Sequence, residues 1–191
     1  MTLTILQIVN EVLTQIGSTP VKTLCKSENA LEKQLLALIN SQGRMLSRCT
    51  RWQGLIKTHV FKTIRGKTQP EGLPEDFLEM VKDDRFPKLY QIQYNMFKSR
   101  EDMIENQQIA YDYITKNWVI SADQKTDKEN VTQDSDLIKF DDQLFILGLK
   151  SYFLEEKGLD YISSKMAFSK LLDHLIGMNN VSQMDMRRLS Y

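Results

Sequence analysis

Residues 109–120, IAYDYITKNWVI, and residues 144–161, LFILGLKSYFLEEKGLDY, decide the fold of this chain. The first stretch combines aromatic and β-branched side chains, which predicts a strand with a bulge or turn at residues 116–117. The second stretch predicts a helix that ends at Gly158. The acidic segment 121–136 between them predicts a solvated loop. This order of strand, loop and helix contains no catalytic motif.

Helices are predicted on both sides of this region. Thr4 and Gln7 form a capping-box pattern at the start of the first helix, and Asn29 is suited to cap the second. Gly177 is predicted to end the fourth. Apolar residues at helical spacing place the four helices at about residues 3–16, 29–48, 140–157 and 160–176. The predicted buried stripe of the second helix consists of Leu31, Leu35, Leu38 and Met45.

The middle of the chain predicts a small antiparallel β region over about residues 52–123, because β-branched and aromatic residues are dense there. Residues 88–108 fit either a strand or, in their second half, a short acidic helix. The predicted fold class is therefore α+β and mainly α, with two N-terminal and two C-terminal antiparallel helices. We expect a single domain over residues 1–178 and an extended tail over residues 179–191.

The composition, with 41% hydrophobic and 26% charged residues in a chain of 191, is typical of a soluble globular protein. No apolar run approaches the roughly 20 residues that span a bilayer, so neither a signal peptide nor a membrane anchor is predicted. Cys25 and Cys49 are far apart and lack a CxxC pattern, so neither a disulfide framework nor a zinc site is indicated. A reducing cytoplasm fits this cysteine usage.

The net charge is zero, but the charges are unevenly distributed along the sequence. Residues 1–69 contain 10 Lys and Arg against 3 Asp and Glu, whereas residues 70–191 contain 15 against 22. This asymmetry predicts a subunit whose basic part meets a polyanion or the acidic part of another copy. The alternative is an uneven surface charge that has no function.

The acidic residues do not predict a metal or hydrolytic site. Counted from Asp123, a calcium loop needs glycine at the sixth position and glutamate at the twelfth, where this sequence has Lys128 and Asp134. Adjacent carboxylates rarely face one substrate. Asp141 and Asp142 are better explained as acids that the helix dipole favours in the first turn.

Histidines and aromatic residues were the remaining candidates for chemistry. His59 and His174 lack the motifs of a catalytic triad and are predicted to be surface or boundary residues. Four aromatic residues fit either core packing or stacking on single-stranded nucleic acid, and core packing is the simpler interpretation. These are Trp52, Trp118, Tyr111 and Tyr113.

The tail mixes large apolar and cationic residues of the kind that is enriched at interfaces. It therefore predicts an extended arm that binds a neighbouring subunit, and disorder is the alternative. The candidate interaction residues are Met184, Met186, Arg187, Arg188, Leu189 and Tyr191.

The order of these elements resembles the bacteriophage head-to-tail adaptor, or connector, family. The resemblance rests on the order of six motifs over most of residues 3–177, and it is strongest to the tail tubular protein A group of short-tailed phages. The motifs are VNEVLTQIGSTPVKTL, ALEKQLLALINSQGRMLSR, TRWQGL, LPEDFLEMV, AYDYITKNWVISAD and LFILGLKSYFLEEKGLDY. In two places the sequence departs from the family: a tryptophan-arginine pair is missing at residues 150–152, and Gln124 replaces a turn glycine.

The resemblance implies a structural virion protein that is not an enzyme and has no cofactor. Its copies form a ring, usually of twelve, beneath the portal protein, and the ring is the platform for tail or nozzle proteins. Genome DNA passes through the lumen without sequence-specific binding, and the C-terminal arm reaches the portal. The implied location is the tail or neck of the virion, after synthesis in the host cytoplasm. The alternative is a nucleic-acid-binding or regulatory α+β module of a phage or bacterium, with its basic N-terminal part on phosphates.

Overall fold

The computed structural model describes the backbone of residues 2–81 and 90–188, with side chains as far as residue 179. The chain divides into two compact units. Unit 1 consists of Met1–Gly54 and Asn117–Tyr191, and unit 2 consists of Leu55–Lys116. Unit 2 is therefore inserted between the two segments of unit 1. That residues 1–178 act as one domain stays a prediction.

The described residues form four helices and nine strands. The helices are α1 Ile5–Gln15, α2 Ala30–Cys49, α3 Asp142–Glu156 and α4 Ile162–Arg188. The strands are β1 Ile56–Lys62, β2 Gly66–Gln69, β3 Phe77–Met80, β4 Tyr90–Gln93, β5 Met96–Met103, β6 Gln108–Thr115, β7 Val119–Ile120, β8 Asp127–Lys128 and β9 Leu137–Ile138.

The prediction of a mainly α fold with a small β region was wrong, although the coarser α+β class holds. The fold is 41% helical and 25% strand, and its strands form three antiparallel sheets of three strands each. The third sheet, in the order β8-β7-β9, lies in unit 1 and extends beyond the predicted limit at residue 123. Residues 96–103, which fitted a strand or a helix, form β5.

The prediction of an extended tail was also wrong, because α4 continues through Gly177 to Arg188. A glycine inside a helix costs only about 1 kcal/mol relative to alanine, so Gly177 alone does not end a helix. A Cβ atom at this position would meet nothing within 4 Å. The last three residues of the predicted tail, 189–191, lie outside the described residues.

Local capping signals set the helix ends of unit 1. Thr4 and Gln7 form the predicted capping box, in which each side chain accepts a hydrogen bond from the backbone N–H of the other. Asn29 caps α2, and Asp141 caps α3 by accepting from Leu144 N at 2.8 Å. The core between the helices and the third sheet is fully buried. It includes Ile8, Leu13, Leu35, Ile39, Leu46, Trp118, Leu144 and Phe145.

Unit 2 contains the other two sheets, in the orders β1-β6-β3 and β2-β5-β4. Both contribute aromatic side chains to one core, which consists of Phe61, Tyr90, Phe97, Tyr111 and Tyr113. The Asp76 carboxylate ties this unit together, since it accepts from Tyr113 Oη, Thr115 Oγ1 and Lys57 Nζ at 2.7–2.9 Å.

The predicted break at residues 116–117 separates β6 of unit 2 from β7 of unit 1. The turn that follows contains Gln124 at φ 56°. This is the left-handed region that favours glycine.

Candidate interaction surface

The α3–α4 hairpin is built by the signals that the sequence predicts. Gly158 adopts φ 67° after the end of α3, and its N–H donates to Glu155 O while Leu159 N donates to Leu154 O. Asp160 Oδ1 then accepts from Ile162 N at 3.1 Å, at the start of α4. The left-handed glycine and the aspartate together fix a tight turn between the helices.

Large apolar side chains are exposed at this turn and on the first half of α4. Leu159 is 55% exposed, Ile162 is 62% exposed and Met166 is 68% exposed. We call these three residues the α4 apolar surface. Scattered apolar residues are common on protein surfaces, but three of them together in sequence mark a possible contact area.

The second half of α4 extends beyond its partner helix. The ring of Tyr152 on α3 contacts that of Phe168 on α4, with 6.4 Å between their centroids, which sets the register of the antiparallel pair. At 1.5 Å per residue, α3 is about 22 Å long and α4 about 40 Å long. Roughly the last three turns of α4 therefore extend beyond the N-terminal end of α3.

A groove of about 260 Å³ lies between α2 and α3. The prediction that Leu31, Leu38 and Met45 are buried was wrong, since all three are only partly buried; Leu38 and Met45 line this groove. The buried stripe of α2 is centred instead on Leu35, Ile39 and Leu46, together with the polar Gln42. Helical spacing identifies the apolar face of a helix but not its most buried line.

The acidic segment 121–136 is only in part the solvated loop that the sequence predicted, because residues 122–126 are exposed but Asp136 is buried. Asp136 is fully buried, and its carboxylate accepts from Lys128 Nζ at 2.7 Å and from the backbone N–H groups of Thr132 and Gln133. Lys128 and the neighbouring Asp127 form strand β8. These acids therefore organise the third sheet, and their carboxylates are occupied by protein donors.

Asp134 joins the same segment to the loop after α1. It accepts from Thr23 Oγ1 at 2.7 Å and from the backbone N–H groups of Leu24 and Cys25. Burial raises the pKa of Asp134, but these hydrogen bonds outweigh it and hold the pKa below its usual value. Burial, with the hydrogen bond and charge of Asp134, raises the pKa of the Cys25 thiol to about 12.

Both cysteines are consequently protonated at neutral pH, since burial also raises the pKa of Cys49. A thiol in that state is a poor nucleophile. His59 lies in unit 2, where its Nε2 is 2.7 Å from Glu71 O, and His174 is exposed on α4 in unit 1. Among the described residues, no group of three or more His, Cys, Asp or Glu could hold a metal ion.

The four candidate stacking residues belong to the cores, which confirms the simpler interpretation. Trp118 is fully buried, and Trp52, Tyr111 and Tyr113 are at most 7% exposed. The ring of Trp118 stacks on Phe140 at 6.0 Å between centroids. None of the four aromatic residues therefore presents an open face to a base.

The charge asymmetry of the sequence disappears in the fold. Unit 1 has two segments. Residues 1–54 contain 6 basic residues (Lys and Arg) and 3 acidic residues (Asp and Glu), and residues 117–191 contain 9 basic and 12 acidic residues. Unit 2 contains 10 basic and 10 acidic residues. Each unit is therefore electrically neutral, because the basic start and the acidic end of the chain fold together.

The predicted portal-binding residues are only partly described. The backbones of Met184, Met186, Arg187 and Arg188 lie in the extending part of α4, whereas Leu189 and Tyr191 lie outside the described residues. Their role stays a prediction.

No protein-family model matches this chain, and no curated protein matches it either. Within the part of the chain that the structure describes, no helix is long and apolar enough to cross a membrane. The likeness to the adaptor family therefore rests on the motifs of the sequence.

Proposed function

We propose that this protein is a structural head-to-tail adaptor of a bacteriophage virion. Its copies form a ring, of twelve if the family pattern holds, beneath the portal protein, and the ring carries the tail or nozzle proteins in the neck of the particle. The genome passes through the lumen without sequence-specific contacts. The protein has no catalytic role in this proposal.

The proposal rests mainly on the α4 apolar surface and on the part of α4 that extends beyond α3. The backbone of α4 extends about three turns beyond α3, and a helical segment of this length can be bound by another protein. An exposed apolar patch of this kind suits the core of a contact between copies, and a repeated heterologous contact gives a ring when the rotation between neighbours closes. The nucleic-acid-binding alternative has less support. The four candidate stacking residues are buried, and neither unit has the excess of positive charge that binds phosphates.

Light scattering after size-exclusion chromatography tests the ring. We expect the wild-type protein to elute as a closed oligomer and the double variant I162S/M166S to elute as a monomer with unchanged helical content. The control V60S/I64S also replaces two exposed apolar residues by serine, but in unit 2, and should leave the oligomer intact. A wild-type monomer at every concentration tested would contradict the proposal.

A truncation tests the contact with the portal. A chain that ends at Met178 keeps the α3–α4 pair, since the contact between Tyr152 and Phe168 places the start of α3 opposite about residue 178 of α4. We expect it to fold and to lose portal binding, whereas a chain that ends at Arg188 should keep part of that binding. Undiminished binding by the shorter chain would refute the role of the C-terminal residues.

A further inference from the structure

The groove between α2 and α3 combines an apolar lining with two carboxylates. Leu38 and Met45 line it from α2, whereas Tyr152, Glu155 and Glu156 line it from α3. Its volume of about 260 Å³ is below the roughly 300–1,000 Å³ of sites for drug-sized molecules. The groove therefore suits one long side chain better than a metabolite.

Both carboxylates remain accessible to a cation. Glu156 is exposed and forms no ion pair among the described residues. Glu155 faces Lys165 at 3.4 Å, but both side chains are at least 40% exposed, and such surface pairs are weak. An incoming cation would thus compete with one weak partner at Glu155 and with water at Glu156.

Tyr152 supplies an aromatic side chain to the lining of the groove. Burial raises the pKa of its hydroxyl, and the nearby Cys49 and Glu155 raise it further, so the ring stays neutral at physiological pH. The face of a neutral tyrosine ring attracts cations, and guanidinium groups stack on it especially well.

Gln42 adds a buried acceptor beside the groove. It is 1% exposed, and its Nε2 is held by Phe145 O at 3.0 Å. Its Oε1 has no hydrogen-bond partner in the described structure, which is unfavourable for a buried oxygen. This unpaired oxygen is a buried acceptor in a residue that lines the groove.

We propose that this groove binds an arginine side chain of a partner protein. The aliphatic stem would lie along Leu38 and Met45, and the planar guanidinium would stack on Tyr152 while it donates to the two glutamates. Arginine is preferred over lysine because only its planar group can stack and donate in pairs. The inference does not depend on the adaptor function, since the groove lies within one copy of the chain.

The test uses the full chain with labelled methyl groups and the blocked amino acid Nα-acetyl-arginine N-methylamide as the probe. We expect saturable NMR shifts at Leu38 and Met45, with a dissociation constant in the millimolar range. The neutral citrulline analogue, which has the same shape, should bind about tenfold more weakly, because it loses the ion pairs and the cation–π contact.

Variants localise the site. E156Q should weaken arginine binding about threefold, whereas E28Q, which neutralises an exposed glutamate outside the groove, should leave it unchanged. Y152L should weaken binding of the arginine probe more than binding of the matching lysine probe. The proposal is refuted if no saturable shift occurs, if citrulline binds as tightly as arginine, or if E156Q and E28Q behave alike.

Discussion

Asp136→Asn should destabilise unit 1 strongly, because this carboxylate is the buried centre of the third sheet. It is fully buried and lies 2.7 Å from Lys128 Nζ, and it also accepts from Thr132 N at 2.9 Å and Gln133 N at 3.0 Å. Breaking a buried ion pair costs about 3–5 kcal/mol. The cost should be somewhat smaller here, because 24% of the Lys128 side chain is exposed to water and asparagine keeps one acceptor oxygen. We therefore expect the free energy of unfolding to fall by about 2–4 kcal/mol.

Urea unfolding followed by tryptophan fluorescence measures this loss directly. Both tryptophans, Trp52 and Trp118, belong to unit 1, so the signal reports on the affected unit. With a slope of about 2 kcal/mol per molar urea, in the middle of the usual range, the midpoint should fall by about 1–2 M. Asp123→Asn makes the same change at an exposed carboxylate of the same segment and serves as the control. Equal midpoints for the two variants would refute the structural role of Asp136.

Three further predictions concern single positions. Gly43→Ala should destabilise unit 1 by about 1–3 kcal/mol in the same urea assay, because its Cβ would lie 2.2 Å from the ring of Trp118; an unchanged midpoint would contradict this packing. Gly177→Ala should raise the melting temperature, because alanine favours a helix over glycine by about 1 kcal/mol. Gly158→Ala should lower the melting temperature, because φ is 67° at Gly158 and alanine is strained in that conformation. A lower melting temperature for Gly177→Ala would argue against the continuous α4. Burial raises the pKa of Asp76, but its hydrogen bonds hold the pKa below the usual value. Its contribution to stability is therefore complete above about pH 4, its unfolded pKa, and is lost as the pH falls through the lower folded pKa. The unfolding on acidification can be followed by the near-ultraviolet circular dichroism of the tyrosines. Asp76→Asn should make stability depend less on pH in this range, and an identical acid transition in both proteins would refute the stabilising role of the Asp76 carboxylate.

Features that depend on neighbouring residues could be predicted from the sequence. The capping box of Thr4 and Gln7, the cap at Asn29 and the turn at Gly158 each involve partners within five residues. The tail was mispredicted because Gly177 was given the weight of a helix stop. Its cost of about 1 kcal/mol is too small for that in a helix that packs on another.

Features that depend on distant partners could not be predicted. Asp134 binds Thr23 Oγ1 across 111 positions of the sequence, and no local pattern indicates that contact. The charge asymmetry along the sequence does not carry over to the two units for the same reason, because the basic and acidic ends of the chain fold into one unit. The groove between α2 and α3 was missed because Leu38 and Met45 were assigned to the buried stripe.

The central claim is that copies of this chain form a ring on the portal. Electron microscopy of the purified protein mixed with portal complexes tests it most directly. We predict class averages with a closed ring of this protein beneath the portal, and because each unit is neutral, the ring should persist when the salt concentration is raised. Portal particles without added density, together with a monomeric protein in the background, would contradict the claim.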